Sequence, residues 1–349
     1  MPTLDEIVEM VRPFGITHVG VAPADVMDDT RATLHERKAA GLHDTMEFTY
    51  RNPDRSTDPR RSVPEARSVV VAARPYLTDS DPPRPTDTPH GRVGRYAWRD
   101  HYAPLRAGLR VAARRLKASG HSAVVFADDN AIVDRAIAQR AGIGWFGKNA
   151  NLLIPGAGSW FVLGSLVTTA EYEVAASTAA DGCGTCTRCL ADCPTGAIVA
   201  PGVIDAGECL SWVMQKPGTL PERFRVAVHD RMYGCDDCQD ACPISVRLGP
   251  RHTTASDPAD ADGAWVDLIG LLESDDETIE QRHGHWYVAG REMRWLRRNA
   301  LVALGNTGEP DDVRVRAVVE RYGHGADEVL AEHARWAQRR LDERSTCAP

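Results

Sequence analysis

The chain has 349 residues, of which 43% are hydrophobic and 26% charged, and its formal net charge at pH 7 is −8. This length predicts two or three domains, and the composition fits an ordinary soluble globular protein. The negative charge excludes a global positive field that attracts nucleic acid, so any nucleic-acid site must be a local basic patch.

The start of the sequence carries no mark of an export signal. Residues 1–6 are acidic and lack the basic start and apolar stretch of a signal peptide. The longest apolar run, 160–167, is too short to span a bilayer. No apolar segment follows Arg60 and Arg61, which argues against a twin-arginine signal. We therefore expect a cytoplasmic protein that does not contact a membrane.

The first half of the chain alternates between helical and strand patterns. The predicted elements, in order, are a helix at 3–13, strands at 16–22 and 68–73, an exposed loop at 78–90, a helix at 102–118, a strand at 122–127, a helix at 132–141 and a strand at 160–167. This alternation predicts an α/β domain as far as about residue 175.

The second half changes character twice. Small residues and cysteines dominate 176–250, with a helical insert around 209–213, and the polar stretch 251–263 predicts a linker. Beyond about residue 290, apolar stripes predict short paired helices at 293–305, 311–322 and 327–341. Such pairs are typical of α-solenoids, and at most two repeat units fit, so we expect a small helical cap.

Eight of the nine cysteines lie in one 60-residue segment. The first run, from Cys183 to Pro194, is C-x2-C-x2-C-x3-C-P, the spacing of bacterial ferredoxins. The second run repeats the C-x2-C-x3-C-P ending from Cys235 to Pro243, with its leading cysteine displaced to Cys209. In a reducing cytosol, clustered cysteines indicate metal or redox chemistry more often than disulfides.

The two runs predict two 4Fe–4S clusters. In two-cluster ferredoxins the fourth cysteine of a run serves the other cube. By this rule one cube takes Cys183, Cys186, Cys189 and Cys242, and the other takes Cys193, Cys209, Cys235 and Cys238. Zinc ribbons and free core cysteines are the alternatives, but zinc sites commonly use two C-x2-C pairs and fit this spacing poorly. Cys347, near the end of the chain, has no partner spacing.

The segment Gly142–Gly147 matches G-x-G-x-x-G but does not predict a dinucleotide site. That site needs a strand before the motif and a helix that opens within it. Here a predicted helix precedes the motif, and no acidic residue of a βαβ unit follows about twenty residues later. We expect these glycines to permit tight turns and a close approach of the backbone to a flat or bulky group.

Taken together, the motifs resemble epoxyqueuosine reductases along most of the chain. The matching stretches are His43-Asp-Thr-Met-Glu-Phe, Asp58-Pro-Arg-Arg, Ala66-Arg-Ser-Val, Arg95-Tyr-Ala, Ile132-Val-Asp-Arg, Gly142-Ile-Gly-Trp-Phe-Gly-Lys-Asn, Gly158-Ser-Trp-Phe-Val-Leu-Gly, the eight cysteines, Tyr233-Gly-Cys-Asp-Asp-Cys-Gln and Arg298-Asn-Ala-Leu-Val-Ala-Leu-Gly-Asn. The ferredoxin motif alone is common, whereas its combination with the Gly-Trp-Phe-Gly-Lys-Asn and Arg-Asn-Ala segments is specific.

The resemblance implies an α+β multidomain fold. It implies a nitroreductase-like and cobalamin-reductase-like α/β domain at 1–175 that binds cobalamin, a two-cluster ferredoxin-like domain at 176–250, and a linker with a HEAT-like helical domain at 251–349. The implied reaction reduces the epoxide of epoxyqueuosine in tRNA to the alkene of queuosine. Electrons would come from an external low-potential donor, and we expect a monomer.

The resemblance also implies individual site residues. Counting back from Ile132-Val-Asp-Arg135 places the family's proton donor at Asp128. A slip of one residue would place it at Asp129, and both could instead be turn or helix-cap carboxylates. Lys148, Asn149, Ser159 and Ser211 are the predicted cobalamin surroundings, although the two serines could simply bond local backbone.

Two further features bear on the substrate. The family's Arg-Tyr-Ala-x-Gly-Arg-Asp-Tyr-His is here Arg95-Tyr-Ala-Trp-Arg-Asp-His101-Tyr102, one residue shorter and with Tyr and His exchanged, so a role of His101 at the substrate is in doubt. The first C-terminal helix carries four arginines, of which we expect at least one to contact a tRNA phosphate: Arg291, Arg294, Arg297 and Arg298.

Two other functions compete with this one. A different cobalamin and iron–sulfur reductase, such as a reductive dehalogenase-like enzyme, would share the scaffold, but such enzymes usually carry an export signal and lack the C-terminal helices. A ferredoxin-type electron carrier with an RNA-binding appendage would have little use for the large α/β domain.

Overall fold

The structure, a computed structural model, describes residues 1–174 and 179–346. Contacts divide the chain into two units. The first unit comprises Met1–Asp79, Asp100–Gly207 and Asp237–Ala255, and the second comprises Ser80–Arg99, Glu208–Asp236 and the chain from Ser256 onward. The predicted boundary near residue 175 and Cys347 both lie outside the described residues, and the division into three domains stays a prediction.

Helices and strands follow one another along the whole described chain. The helices are α1 Leu4–Val11, α2 Asp28–Ala39, α3 Pro53–Ser56, α4 Pro59–Ser62, α5 Tyr102–Ala118, α6 Asp134–Arg140, α7 Arg188–Ala191, α8 Leu210–Gln215, α9 Glu222–Val228, α10 Asp237–Asp240, α11 Pro243–Leu248, α12 Pro258–Ala264, α13 Leu268–Glu273, α14 Asp276–His283, α15 Arg294–Thr307, α16 Val313–Gly323 and α17 Glu328–Thr346. The strands are β1 His18–Pro23, β2 Ser68–Pro75, β3 His90–Val93, β4 Ala123–Phe126, β5 Trp145–Phe146, β6 Leu152–Leu153, β7 Phe161–Thr168, β8 Ile198–Ala200, β9 Val203–Ile204, β10 Arg231–Tyr233 and β11 Trp265–Asp267.

The first unit is built on a four-stranded sheet in the order β1-β2-β7-β4, in which every neighbouring pair is antiparallel. β2 is apolar on both faces and almost entirely buried, because α5 covers one face of the sheet and α6 the other. Gly164 in β7 lets Leu105 and Leu109 of α5 approach the sheet, since a Cβ there would lie 3.0 Å from the Leu109 side chain. The mixture of helices and strands confirms the predicted fold class at this level.

The second unit has a three-stranded sheet in the order β10-β3-β11 and a helical core. α15 packs against α13 and α17, α17 packs in turn against α16, and the buried face of α15 is nearly continuous from Trp295 to Gly305. The three helices predicted beyond residue 290 correspond to α15, α16 and α17. Whether they form a HEAT-like repeat stays a prediction.

The structure corrects one element of the sequence analysis. The stretch 251–263, predicted as a linker, includes all but the last residue of α12 (Pro258–Ala264), which β11 follows directly. The backbone N–H of Asp257 donates to the Asp260 carboxylate at 2.8 Å, which supports the first turn of that helix. Within the described residues, no helix is both long enough and apolar enough to cross a membrane.

Candidate redox and proton-transfer site

Four cysteines of the first unit border a single cavity of about 200 Å³. Three come from the first run, Cys183, Cys186 and Cys189, and the fourth is Cys242 from the end of the second run. A cube needs one thiolate at each of its four iron corners, so its ligands must be spread around a volume. The structure thus brings together the four residues that the exchange of the last cysteine assigns to one cube.

Local backbone geometry sets these thiols in place. The N–H of Cys183 donates to the Asp181 carboxylate at 2.8 Å, and the N–H of Cys186 donates to the Cys183 carbonyl at 3.1 Å, which closes a tight turn. Cys242 is the N-cap of α11 with an extended backbone, and Pro243 takes the first helical position, where its missing N–H costs nothing. The proline after the cysteine therefore starts a helix.

The four thiols around the cavity are close enough to shift the pKa of one of them. Burial raises the pKa of the Cys189 thiol, and nearby Cys242, Cys183 and Cys186 raise it further. Four thiolates in one place repel, so a cation that binds all four is needed to hold them deprotonated. Within residues 1–174 and 179–346, no three His, Cys, Asp or Glu side chains form a group that could hold a single metal ion.

The segment after the glycine motif contacts the cysteine loops directly. The Lys148 ammonium donates to the carbonyl of Gly184 at 2.7 Å and borders the same cavity. Asn149 is buried, and its Nδ2 donates to the carbonyl of Cys238 at 3.0 Å. Both predicted cobalamin residues therefore make their hydrogen bonds to cluster-bearing segments, and a place beside a cobalamin stays a prediction.

The glycine motif is a turn and not a dinucleotide fingerprint. It follows α6 and contains β5, which pairs with β6, so no helix opens within it. A Cβ at Gly144 would lie 2.2 Å from the carbonyl oxygen of Leu153. Gly144 thus permits a close approach to the protein's own backbone, and the approach to a flat or bulky group stays a prediction.

The other four cysteines are divided between the units. Cys193 and Cys238 belong to the first unit, and Cys209 and Cys235 belong to the second. Cys209 is the N-cap of α8, as Cys242 is of α11, and both have an extended backbone. Their assignment to one cube stays a prediction.

Asp128 presents an unpartnered carboxyl in the first unit. The residue is exposed, and its side chain makes no hydrogen bond to the described residues. Its backbone is left-handed, with φ at 56°, a conformation that costs a non-glycine residue of order 1 kcal/mol. The surrounding protein raises the pKa of Asp128, Asp100 and Asp129 raise it further, and only Arg106 lowers it.

Asp129 has a structural contact that distinguishes it from Asp128. Its Oδ1 accepts from the backbone N–H of Ala131 at 2.7 Å, which closes the turn ahead of α6. The turn-capping alternative therefore describes Asp129, while the Asp128 carboxyl stays available. Asp134 at the start of α6 is a residue that the sequence analysis missed: burial and the charge of Asp128 raise its pKa well above the usual range.

The two predicted serines lie in different units. Ser159 is buried in the first, where its hydroxyl lies 2.8 Å from the Ser245 hydroxyl and accepts from Gln239 Nε2 at 3.1 Å. Ser211, in α8 of the second unit, hydrogen-bonds to the partly buried Tyr96. Both serines hydrogen-bond to other side chains, and their place beside a cobalamin stays a prediction.

The altered segment places His101 inside the first unit. Its side chain is 1% exposed and packs against the ring of Tyr76, with the ring centroids 5.6 Å apart. Arg74 Nη1 lies 3.5 Å from His101 Nδ1. The histidine therefore packs in the interior and is not presented to a substrate at the surface.

One of the four arginines proposed for tRNA is ruled out by burial. Arg298 is 0% exposed, and its guanidinium donates to the backbone carbonyls of Met214, Lys216 and Gly218. It therefore joins the 213–218 segment to α15 and cannot reach a phosphate. Arg297 is mostly buried against Asp276, Arg294 pairs with Asp327 at 2.8 Å, and Arg291 is half exposed beside Glu280.

Comparison with known proteins shows which family this chain belongs to. A protein from Gloeobacter violaceus, an epoxyqueuosine reductase, is 36% identical over 88% of this chain and 98% of its own length. Another, from Lactococcus garvieae, is 30% identical over 99% of this chain and 98% of its own length. The chain belongs to the epoxyqueuosine reductase family. It is therefore an oxidoreductase, and the electron-carrier alternative is excluded.

Two family models and a solved structure agree with this membership. A model described as epoxyqueuosine reductase QueG, DUF1730, matches residues 56–129, and one described as a 4Fe–4S double cluster binding domain matches residues 182–245. The crystal structure of an epoxyqueuosine reductase with an epoxyqueuosine-modified tRNA-Tyr stem loop is 29% identical, with a TM-score of 0.87 over 97% of this chain and 89% of that one. The second model supports the prediction of iron–sulfur clusters in this segment over the zinc alternative.

Proposed function

We propose that this protein reduces the epoxide of epoxyqueuosine in tRNA to the alkene of queuosine, with electrons that pass through two 4Fe–4S cubes. The observation that carries the redox part is the cavity bordered by Cys183, Cys186, Cys189 and Cys242. The likeness to epoxyqueuosine reductases over nearly the whole chain, one of them crystallised with a modified tRNA stem loop, supports the substrate.

The proposed reaction requires the site to supply both electrons and protons. Converting an epoxide to an alkene breaks both carbon–oxygen bonds and releases the oxygen as water, which consumes two electrons and two protons. An external low-potential donor would supply the electrons, and each cube passes them one at a time. The protons must come from a group at the site, because the alkoxide that forms when the ring opens is strongly basic.

Asp128 is the residue that we assign to this proton transfer. A general acid must be partly protonated at the working pH and free to reach the reacting oxygen. Burial raises the pKa of Asp128, which favours the first condition, and its exposed carboxyl, without a hydrogen-bond partner among the described residues, meets the second. Asp129 holds the turn that presents it.

A cobalamin is implied by the resemblance, and when bound it would supply a cobalt centre that collects electrons beside the substrate. The side chains predicted around it each have a hydrogen-bond partner within the chain. Lys148, Asn149 and Ser159 are hydrogen-bonded inside the first unit, and Ser211 is bonded to Tyr96 in the second. The proton transfer assigned above involves residues of the chain alone.

Transfer RNA would bind through local positive charge, because the chain as a whole is negative. Of the four arginines in and before α15, Arg291 is the most exposed, with a side chain 53% accessible. We propose that Arg291, among these four arginines, contacts a phosphate of the tRNA. Arg291→Ala should weaken tRNA binding and reduce its salt dependence, whereas unchanged binding would remove Arg291 from the interface.

The function is tested by anaerobic purification, iron and zinc analysis, visible and EPR spectroscopy, and an assay on tRNA that carries epoxyqueuosine. We expect about eight irons from two cubes and the alkene product. A paramagnetic cobalt corrin signal would support the cobalamin. Cys186→Ser is the matched variant and should perturb one cube only. Four irons or fewer, bound zinc, or no alkene from fully loaded enzyme would contradict the proposal.

A further inference from the structure

The turn that follows the glycine motif directs two asparagine amides at one cysteine. Asn149 Nδ2 donates to the backbone carbonyl of Cys238, and Asn151 Nδ2 donates to the sulfur of the same residue at 3.8 Å. All three residues belong to the first unit. The Asn151 N–H therefore places partial positive charge beside a sulfur that is a predicted cluster ligand.

The turn is constrained so that it holds these amides in place. The N–H of Gly147 donates to the carbonyl of Asn151 at 2.8 Å, and the N–H of Asn151 donates to the Asn149 side chain at 3.2 Å. Ala150 takes a left-handed backbone with φ at 59°. Any Cβ at Gly147 would lie 2.8 Å from Asn149 Oδ1 and 2.1 Å from the Leu153 side chain. These contacts therefore fix the backbone from which the Asn151 side chain reaches Cys238.

The charge on a cluster explains why this contact matters. Reduction adds one electron to a cube without making or breaking a bond, and part of the added negative charge resides on the ligating sulfurs. A hydrogen bond donated to such a sulfur stabilises the reduced form more than the oxidised form, so it raises the reduction potential. Part-burial of the contact strengthens this effect, because water screens it less.

We propose that Asn151 is a positioning residue that raises the reduction potential of the cube ligated by Cys238. The inference rests on the proposed two-cube function and adds a difference between the cubes. The Cys183, Cys186, Cys189 and Cys242 cube receives no such bond from Asn151, so its potential should not depend on this residue.

The test is an anaerobic redox titration of the full-length, cluster-loaded protein, followed by EPR. Asn151→Leu keeps the size of the side chain but removes the donor, and Asn151→Asp keeps its shape but replaces the donor with a negative oxygen. We expect unchanged iron content and one midpoint potential that falls in the Leu variant and falls further in the Asp variant. The second midpoint should stay constant, and Cys186→Ser identifies which signal belongs to it.

Three results would overturn the inference while leaving the two-cube function intact: unchanged midpoints in both variants, equal shifts of both cubes, or loss of iron from both variants, which would make Asn151 a folding residue only. Failure of the wild-type protein to hold two cubes would instead contradict the proposed function itself.

Discussion

The side-chain amide of Gln239 donates to the hydroxyl oxygen of Tyr76 at 3.0 Å, at a position between two cluster cysteines. The same amide lies 3.1 Å from the Ser159 hydroxyl, which in turn contacts Ser245. All of these groups are buried. Because Gln239 directly follows Cys238 and precedes Cys242 by three residues, this network fixes the segment that carries one ligand of each predicted cube.

Gln239→Leu should destabilise that segment. The substitution keeps the volume but removes the amide that bonds the buried Tyr76 and Ser159 hydroxyls, which costs about 1–3 kcal/mol. We expect a lower urea midpoint and faster loss of iron on exposure to a chelator. Gln281→Leu, at an exposed glutamine that hydrogen-bonds to Glu277, is the control and should change neither quantity. Equal behaviour of the two variants would show that the network does not hold the cysteine segment.

Asp128→Asn should abolish most turnover without loss of either cube. Removing a positioned general acid typically lowers the rate by about 10²–10⁴-fold. Asp129→Asn is the matched control, since an asparagine oxygen can still accept from the Ala131 N–H, and it should retain most activity. The measurement is single-turnover formation of the alkene at fixed iron content. A reversed order of the two variants would move the acid to Asp129.

The rate should fall as pH rises through the pKa of Asp128, because the acid must be protonated to act. Arg106 lowers this pKa and Asp100 raises it, and the two form a salt bridge at 2.8 Å. Arg106→Gln should therefore move the fall to higher pH, and Asp100→Asn should move it to lower pH. Asp129 and Asp134 also lie nearby and are unchanged in both variants. Shifts in the same direction would show that another group controls the profile.

The long helices and the grouping of cysteines could be predicted from the sequence because both follow from local residue patterns. The helix predicted at 102–118 coincides with α5, since its apolar residues repeat with helical spacing and pack on one sheet face. Exchange of the fourth cysteine was a rule about spacing, and the structure places Cys242 beside the first three.

The hydrogen-bond partners of individual side chains could not be predicted from the sequence, because the partners lie in distant segments of the chain. Lys148 and Asn149 are polar residues after a turn, and nothing in their neighbourhood indicates that Gly184 and Cys238 receive their hydrogen bonds. In the sequence Arg298 looks like any other arginine in a helix, and only the structure shows that its guanidinium donates to carbonyls of the 213–218 segment. Asp134 gives no signal in the sequence, because its shifted pKa depends on the turn that brings Asp128 close.

Arg298→Met should destabilise the second unit far more than it affects RNA binding directly. The substitution leaves the carbonyls of Met214, Lys216 and Gly218 without their buried donor, at a cost of about 3 kcal/mol or more. Arg291→Met, at a half-exposed ion pair, should cost less than about 1 kcal/mol. Urea unfolding followed by tryptophan fluorescence separates the two. Similar midpoints would contradict the structural role of Arg298.

His333 should make the second unit sensitive to acid. Its Nε2 accepts from the Leu220 N–H at 3.0 Å and its Nδ1–H donates to the Val329 carbonyl, so the buried ring must be neutral. Burial lowers the pKa of His333 to about 4 from its usual 6.5. A folded-state pKa below the unfolded value contributes stability that is present above pH 6.5 and is lost as pH falls towards 4, up to roughly 3 kcal/mol.

Replacement by a side chain that does not titrate tests this origin of the acid sensitivity. His333→Gln should lower the urea midpoint at pH 8 but flatten its fall between pH 6.5 and 4.5, because no buried ring remains to be protonated. His324→Gln, at an exposed position, is the control and should keep the wild-type slope. A wild-type slope in His333→Gln would show that other groups, such as His283 with its pKa lowered to about 4, account for the acid sensitivity.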